Sequence, residues 1–232
     1  MSTPPRGLLV VIAFAAFVSL GLPDGVLGVA WPSVRATFGL PISHLGSILF
    51  AVMAGYLASS FASGAVVARF GVGWVLAWSN ALVAVSGVGY ALAPAWPVML
   101  VAGLVGGLGA GGIDAGINVH AAERFSPRLV SWLHASWSAG AALGPLIMTA
   151  VLGAGLAWRW GYAVVAVILA AMSLTFFLTM GLWGRPRSPA AGGPRPAPAA
   201  FLHTLGRPAV WAHVTIFFLY AGLEAGAGQW AY

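Results

Sequence analysis

Three of the four acidic residues in this chain sit inside runs that otherwise look like hydrocarbon, in related contexts: LPDGVLGVAW around Asp24, GIDAGINVHA around Asp114 and GLEAGAGQWA around Glu224. A carboxylate at the centre of a bilayer costs roughly 2.5 to 3.5 kcal/mol on insertion scales, so acids placed there mark a functional site by default. The chemistry they offer is proton exchange. A carboxyl that is neutral, or shared with a solute hydroxyl, can take a proton from one side of a membrane and release it to the other. Asp114 and Asn118 are one helical turn apart and share a face, where carboxyl and carboxamide supply the donors and acceptors that hydroxyl groups need. His134, inside its own apolar run, can hydrogen-bond a solute or relay a proton. Trp137 and Trp230 offer aromatic faces near carboxylates, the surface on which a sugar ring stacks. Asp24, Asp114 and Glu224 are therefore candidate proton-coupling residues, and Asp114, Asn118, His134, Trp137 and Trp230 candidate binding residues.

Such side chains must be held by helices in lipid. Apolar residues make up 60% of the 232 residues and charged ones only 6%, with a mean hydropathy of +0.94, which excludes a soluble domain. Backbone groups in hydrocarbon pair within their own segment, and no alternating barrel pattern is present, so every span is expected to be helical. Spans of about 20 residues are expected at seven places, 8–31, 45–68, 72–93, 97–121, 129–152, 160–183 and 209–232. The first apolar run exceeds the length of a secretory signal core and is expected to be retained.

All ten basic residues are Arg. With the N-terminus cytoplasmic, Arg6, Arg69, Arg124, Arg128, Arg185, Arg187, Arg195 and Arg207 fall inside and only Arg35 and Arg159 outside, which sets the orientation of a multi-pass protein of the cell (inner) membrane. The net charge of +6 is then a matter of topology, and its dispersal among spans excludes a nucleic-acid partner. There is no cysteine, and no histidine or acid pair has metal-ligand spacing, so no disulfide, metal or cofactor is expected. Trp31, Trp74, Trp96, Trp132, Trp158, Trp160, Trp183 and Trp211 fall near span ends and read as interfacial anchors.

The domain plan is a six-helix bundle over 1–183, a Pro/Gly/Arg-rich cytoplasmic linker over 184–208, and a seventh helix over 209–232 that opens a second bundle and is cut short. Asp24 and Asp114 are 114 − 24 = 90 residues apart, which predicts a three-helix unit used twice with inverted topology, as in secondary transporters whose site lies at the repeat interface. Small residues beside each acid allow close backbone approach or local unwinding. Gly103, Gly107 and Gly111 recur every four residues and predict a stripe against which another helix packs closely. Gly107, Gly109 and Gly112 happen to fit a dinucleotide fingerprint, but no strand precedes them in this apolar segment. Gly140, Gly144 and Pro145 mark a kink or hinge in the fifth span.

The strings GLPDGVLGVAWPSVRATFGLP, GLGAGGIDAGINV, LHASWSAGAALGP and GLEAGAGQW resemble the major facilitator superfamily (MFS), and within it the fucose permease-like sugar:proton symporters. The resemblance implies an all-α integral membrane fold, an MFS-type six-helix bundle of two inverted three-helix repeats with a truncated seventh helix. It implies that Asp24 accepts a proton and that Asp114 and Asn118 stand near substrate and coupling. The superfamily signature between the second and third spans is matched by the gating residues Gly64, Arg69 and Gly71, but Ala68 replaces its aspartate and the trailing basic pair is missing. The Gly-Pro pattern around Pro145 resembles that of drug:proton antiporters without its later glycines.

The expectation is a secondary transporter, not an enzyme, moving a small polar solute such as a sugar with protons. Its alternatives are a drug:proton antiporter and a non-transporting membrane sensor or assembly subunit. A carrier of this kind needs two six-helix halves, so the missing half or a second copy is an expected partner, together with solute, protons and the lipid bilayer.

Overall fold

The structure, a computed structural model, describes residues 6–183 and 206–230. Most of the expected linker, residues 184–205, and the end of the expected seventh span, residues 231–232, lie outside the described residues. Seven long helices form the first part of the chain: α1 (Arg6–Gly21), α2 (Val26–Phe38), α3 (His44–Phe70), α4 (Val72–Leu92), α5 (Trp96–Arg124), α6 (Pro127–Gly153) and α7 (Trp158–Thr179), the last followed by a 3-10 turn at Met180–Trp183. A further helix, α8 (Pro208–Trp230), follows the undescribed segment. The chain divides into two units, Met1–Pro186 and Arg187–Tyr232. Among the described residues six stretches are long and apolar enough to cross a membrane, α1 and α2 together making one of them, Gly7–Phe38.

The first span was expected as one helix over 8–31, and here the structure differs. It reaches Phe38 and is broken at residues 22–25 into α1 and α2. Pro23 has no N–H to give the ladder, and Gly25 takes the left-handed conformation at φ 71°, which a side chain would strain. The Asp24 N–H turns back to the Gly21 carbonyl at 3.0 Å, closing the break as a tight turn. Shifted by 90 residues, the same stretch is Gly111 to Ala115, where Ile113 and Ala115 replace Pro23 and Gly25. There α5 runs through unbroken.

Within the first unit α1 packs along α6, α3 along α5, and α4 along α7. Exchanging the two halves of the sequence maps this set onto itself. First helix on opposite second helix occurs twice, and third on third once, which is the pattern of two inverted three-helix repeats. The bundle is thus the all-helical MFS-type fold. The symmetry is broken where α4 also packs extensively on α5 while its counterpart, α7 on α1 and α2, is slight.

Small residues set how close the paired helices come. A Cβ added at Gly107 or Gly111 would collide with the backbone carbonyl of Val52 or Tyr56 on α3, one at Gly140 with that of Val18 on α1, and one at Gly144 with that of Leu22 in the break after α1. In lipid, where no aqueous hydrophobic force drives helices together, such backbone contact supplies the packing energy. Gly109 and Gly112 turn to the other side of α5 and face Ser79 of α4. The fortuitous fingerprint is therefore divided between two packing faces, Gly107 toward α3 and Gly109 and Gly112 toward α4.

Three tryptophans depart from the expected role. Trp31, Trp158 and Trp183 are buried inside the bundle ends and are not lipid anchors, whereas Trp132, Trp160 and Trp211 are exposed. Trp158 donates its indole N–H to Thr37 at 3.0 Å, tying α7 to α2. Beside it Arg159, one of the two arginines expected outside, donates to the carbonyls of Ala91 (3.0 Å) and Ala93 (2.7 Å) at the end of α4. Those carbonyls have no helical partner of their own, so Arg159 serves as a cap.

Candidate functional site

Asp114 sits past the middle of α5, half-buried, on the face toward α3. Each of its oxygens accepts one hydrogen bond. The hydroxyl of Tyr56 donates to Oδ2 at 2.7 Å, and the amide of Asn118 donates to Oδ1 at 2.9 Å. The Asn118 bond follows from helical spacing. The Tyr56 bond follows from glycine, because Gly107 and Gly111 bring α3 against α5 and leave Tyr56 level with the acid.

Asp24 lies in the break between α1 and α2, exposed, and close enough to Tyr56 to act electrostatically on its hydroxyl. Asp114 thus holds the phenol by a hydrogen bond, while Asp24, of the other repeat, acts on it from a distance. The repeat gives the reason. Gly21 and Gly111 each precede an acid by three residues, Gly21 lying against the carbonyl of Trp137 and Gly111 against that of Tyr56. Trp137 on α6 is therefore the counterpart of Tyr56 on α3, and each acid has an aromatic residue of the opposite repeat beside its helix. Trp137 is half-buried.

His134 lies one turn before Trp137, exposed, with its ring edge-on to Phe17 of α1 at 5.1 Å. Glu224 and Trp230 lie on α8, and their side chains are outside the described ones. Of the gating candidates, Gly71 is the sole link between α3 and α4, with φ 88°. Arg69 is exposed with its guanidinium 5.3 Å from the Phe70 ring, and Gly64 faces open space. Within a continuous α6, Gly140 packs on α1 and Gly144 on the break after it, and Pro145 brings its Cγ to 2.8 Å of where a Cβ on Gly25 would stand. The Pro145 ring thus sits against the Asp24 break.

Tyr56 is the residue that the reading of spacing missed. The signal available was modest: a single phenol in an otherwise apolar and small-residue span. The cleft of about 580 Å³ between α3, α4 and α5, lined by Ser59, Ser63, Ser79 and apolar side chains, is separate from the two acids.

Comparison with known proteins agrees with this architecture. The family model described as Major Facilitator Superfamily matches residues 9–232. No curated protein matches by sequence. Among solved structures, the proton:xylose symporter XylE bound to 6-bromo-6-deoxy-D-glucose superposes with a TM-score of 0.64 at 19% identity, over 73% of this chain and 44% of that one. A D-xylose-proton symporter structure gives 0.60 at 18% identity, over 93% of this chain and 52% of that one. The chain spans about half the length of these structures.

Proposed function

The chain belongs to the major facilitator superfamily, and from that premise we propose that it forms the N-terminal half of a secondary transporter that moves a sugar by proton-coupled alternating access. One observation carries this reading. Asp114, Asn118 and Tyr56 form a polar cluster on an otherwise apolar helix face, and Asp24 is electrostatically tied to it. An ionisable group held inside a bundle marks an ion pathway, and carboxylate, carboxamide and phenol together match the alternating donors and acceptors of a sugar. The xylose:proton symporters that share the fold lend support for the solute class, and the sequence strings lean to the fucose permease-like group.

In this proposal residues 1–183 are the first bundle, 184–208 the cytoplasmic linker, and 209–232 the opening of the second bundle, which supplies Glu224 and Trp230. Asp24, Asp114 and Glu224 exchange protons. Asn118, His134 and Trp137 line the solute side with Asp114, while Gly64, Arg69, Gly71, Gly140, Gly144 and Pro145 serve the movement between states. The protein stands in the cell membrane with its N-terminus inside, and a second six-helix half completes the carrier.

The test uses the protein expressed from its whole reading frame, in proteoliposomes with an acidic exterior. Pentose or hexose should accumulate, and a protonophore should abolish the accumulation. Proton-driven movement of lipophilic cations without sugar uptake would overturn the reading in favour of an antiporter. Absence of any proton-driven flux would favour a sensor or assembly subunit.

A further inference from the structure

We propose that Tyr56 is the positioning residue of proton coupling: its hydroxyl holds Asp114 as a carboxylate in the empty site, and arrival of a proton or of a solute hydroxyl reverses or releases that bond. The inference rests on the reading of Asp114 as a coupling residue and adds a partner to it from the opposite repeat.

The geometry is that of a carboxylate with one donor on each oxygen and a lone pair still free on each. Tyr56 occupies Oδ2 and Asn118 occupies Oδ1, at 2.7 and 2.9 Å. Each oxygen keeps a second lone pair, so a proton can add beside either bond, but the Asn118 amide nitrogen can only donate and cannot turn round to accept from it. A phenol can do either. Protonation on Oδ2 therefore forms a carboxyl O–H that donates to the Tyr56 oxygen, while the phenolic O–H turns away and donates elsewhere. Ser60 lies one turn along α3 from that hydroxyl. One proton enters from water, one O–H forms on Asp114, and one hydrogen bond reverses direction across the α3 and α5 contact.

Tyr56 is the group hydrogen-bonded to Asp114 that can make this exchange. From α3 the titratable neighbour is Tyr56, and through Tyr56 comes Asp24 of the α1–α2 break. From α4, the residues against this part of α5 are Ser79, Leu76 and Val75, none of them titratable. A solute hydroxyl that takes the place of the Tyr56 donor would act on the same oxygen, which makes proton and solute compete or cooperate at one bond.

Sparse acids make this measurable directly. These 232 residues hold two aspartates, so in an Asp24→Asn background with carbon-13 aspartate the infrared C=O band that disappears on further Asp114→Asn substitution belongs to Asp114 and is readable against pH without any solute. A carboxylate that loses a hydrogen-bond donor is less stabilised in its charged form and binds its proton more tightly. Tyr56→Phe should therefore move the titration of that band to higher pH, by about tenfold in proton affinity. Site-specific 3-fluorotyrosine at position 56, a stronger donor of the same shape, should move it to lower pH and guards against a packing defect in the Phe variant. Opposite shifts establish the clamp. No shift in either variant, or shifts of the same sign, would overturn it. Failure of sugar uptake with opposite shifts intact would instead remove the sugar reading and leave the clamp standing.

Discussion

Asp114→Asn should abolish proton-driven accumulation while leaving solute exchange across the membrane measurable. Asparagine has nearly the shape of aspartate and keeps an acceptor for the Tyr56 hydroxyl, but it cannot carry a proton. One proton moved per solute down a gradient of 2 pH units can sustain about 100-fold accumulation, since each unit is worth about 1.4 kcal/mol. In the variant the internal concentration should stop at the external one, a loss of about two orders of magnitude. Counterflow, in which labelled solute enters against unlabelled solute and needs no net proton, should persist at a similar rate. Both readings come from the same vesicles. Accumulation that survives the substitution removes Asp114 from coupling, and loss of counterflow as well would assign it to solute binding alone.

The second large effect is structural. Gly107→Val should leave little folded protein, because its Cβ would meet the Val52 carbonyl of α3 and further methyl groups would press deeper into backbone that has no side chain to move aside. Overpacking costs about 1–3 kcal/mol and occasionally more, and a rigid backbone neighbour places this case at about 3 kcal/mol or above. Gly64→Ala is the matched control, since nothing stands within 4 Å of its added Cβ. The yield of monodisperse protein in detergent and its melting temperature should fall sharply for the first and hardly change for the second. Equal behaviour of the two would mean that the α3 and α5 contact is not held by backbone approach. The same argument applies to Gly140 on the α1 and α6 contact, where an added Cβ would meet the Val18 carbonyl.

Much of the fold can be read from sequence because lipid imposes it. Apolar length alone locates the six spans from α1/α2 to α7, and the spacing of Gly103, Gly107 and Gly111 already marks the contact face of α5. The 90-residue offset between the aspartates anticipates the inverted repeat, and the helical spacing of Asp114 and Asn118 places them on one face, where they meet at 2.9 Å. Less legible is whatever depends on partners distant in the chain. The bond from Tyr56 crosses 58 residues of sequence, and no local pattern around a lone tyrosine points to it. The break at Asp24 is suggested by Pro23 and Gly25, yet composition reads straight through it, since hydropathy does not distinguish a turn from a helix when both are apolar. Trp31, Trp158 and Trp183 look like anchors because aromatic residues at span ends usually meet headgroups. Their burial comes from neighbouring helices closing over them, as with Trp158 against Thr37 and Phe38. Gly64, a glycine in a family-like pattern, has open space around its Cβ position.

The central claim of the proposal is that Asp24 and Asp114 stand where water reaches them, so that protons can trade against solute. These 232 residues contain no cysteine, so with any cysteine further along the reading frame replaced, a single introduced thiol reports without background. Ala110 lies one turn before Asp114 on the same face of α5, and Val167 lies mid-span on α7 and is 69% exposed on the outer side of the bundle. In the membrane-embedded protein, Ala110→Cys should react with a charged, membrane-impermeant thiol reagent, the transported sugar should slow that reaction, and Val167→Cys should stay unreacted. An inert Cys at 110 beside a reactive one at 167 would place the acid face toward lipid and contradict the account.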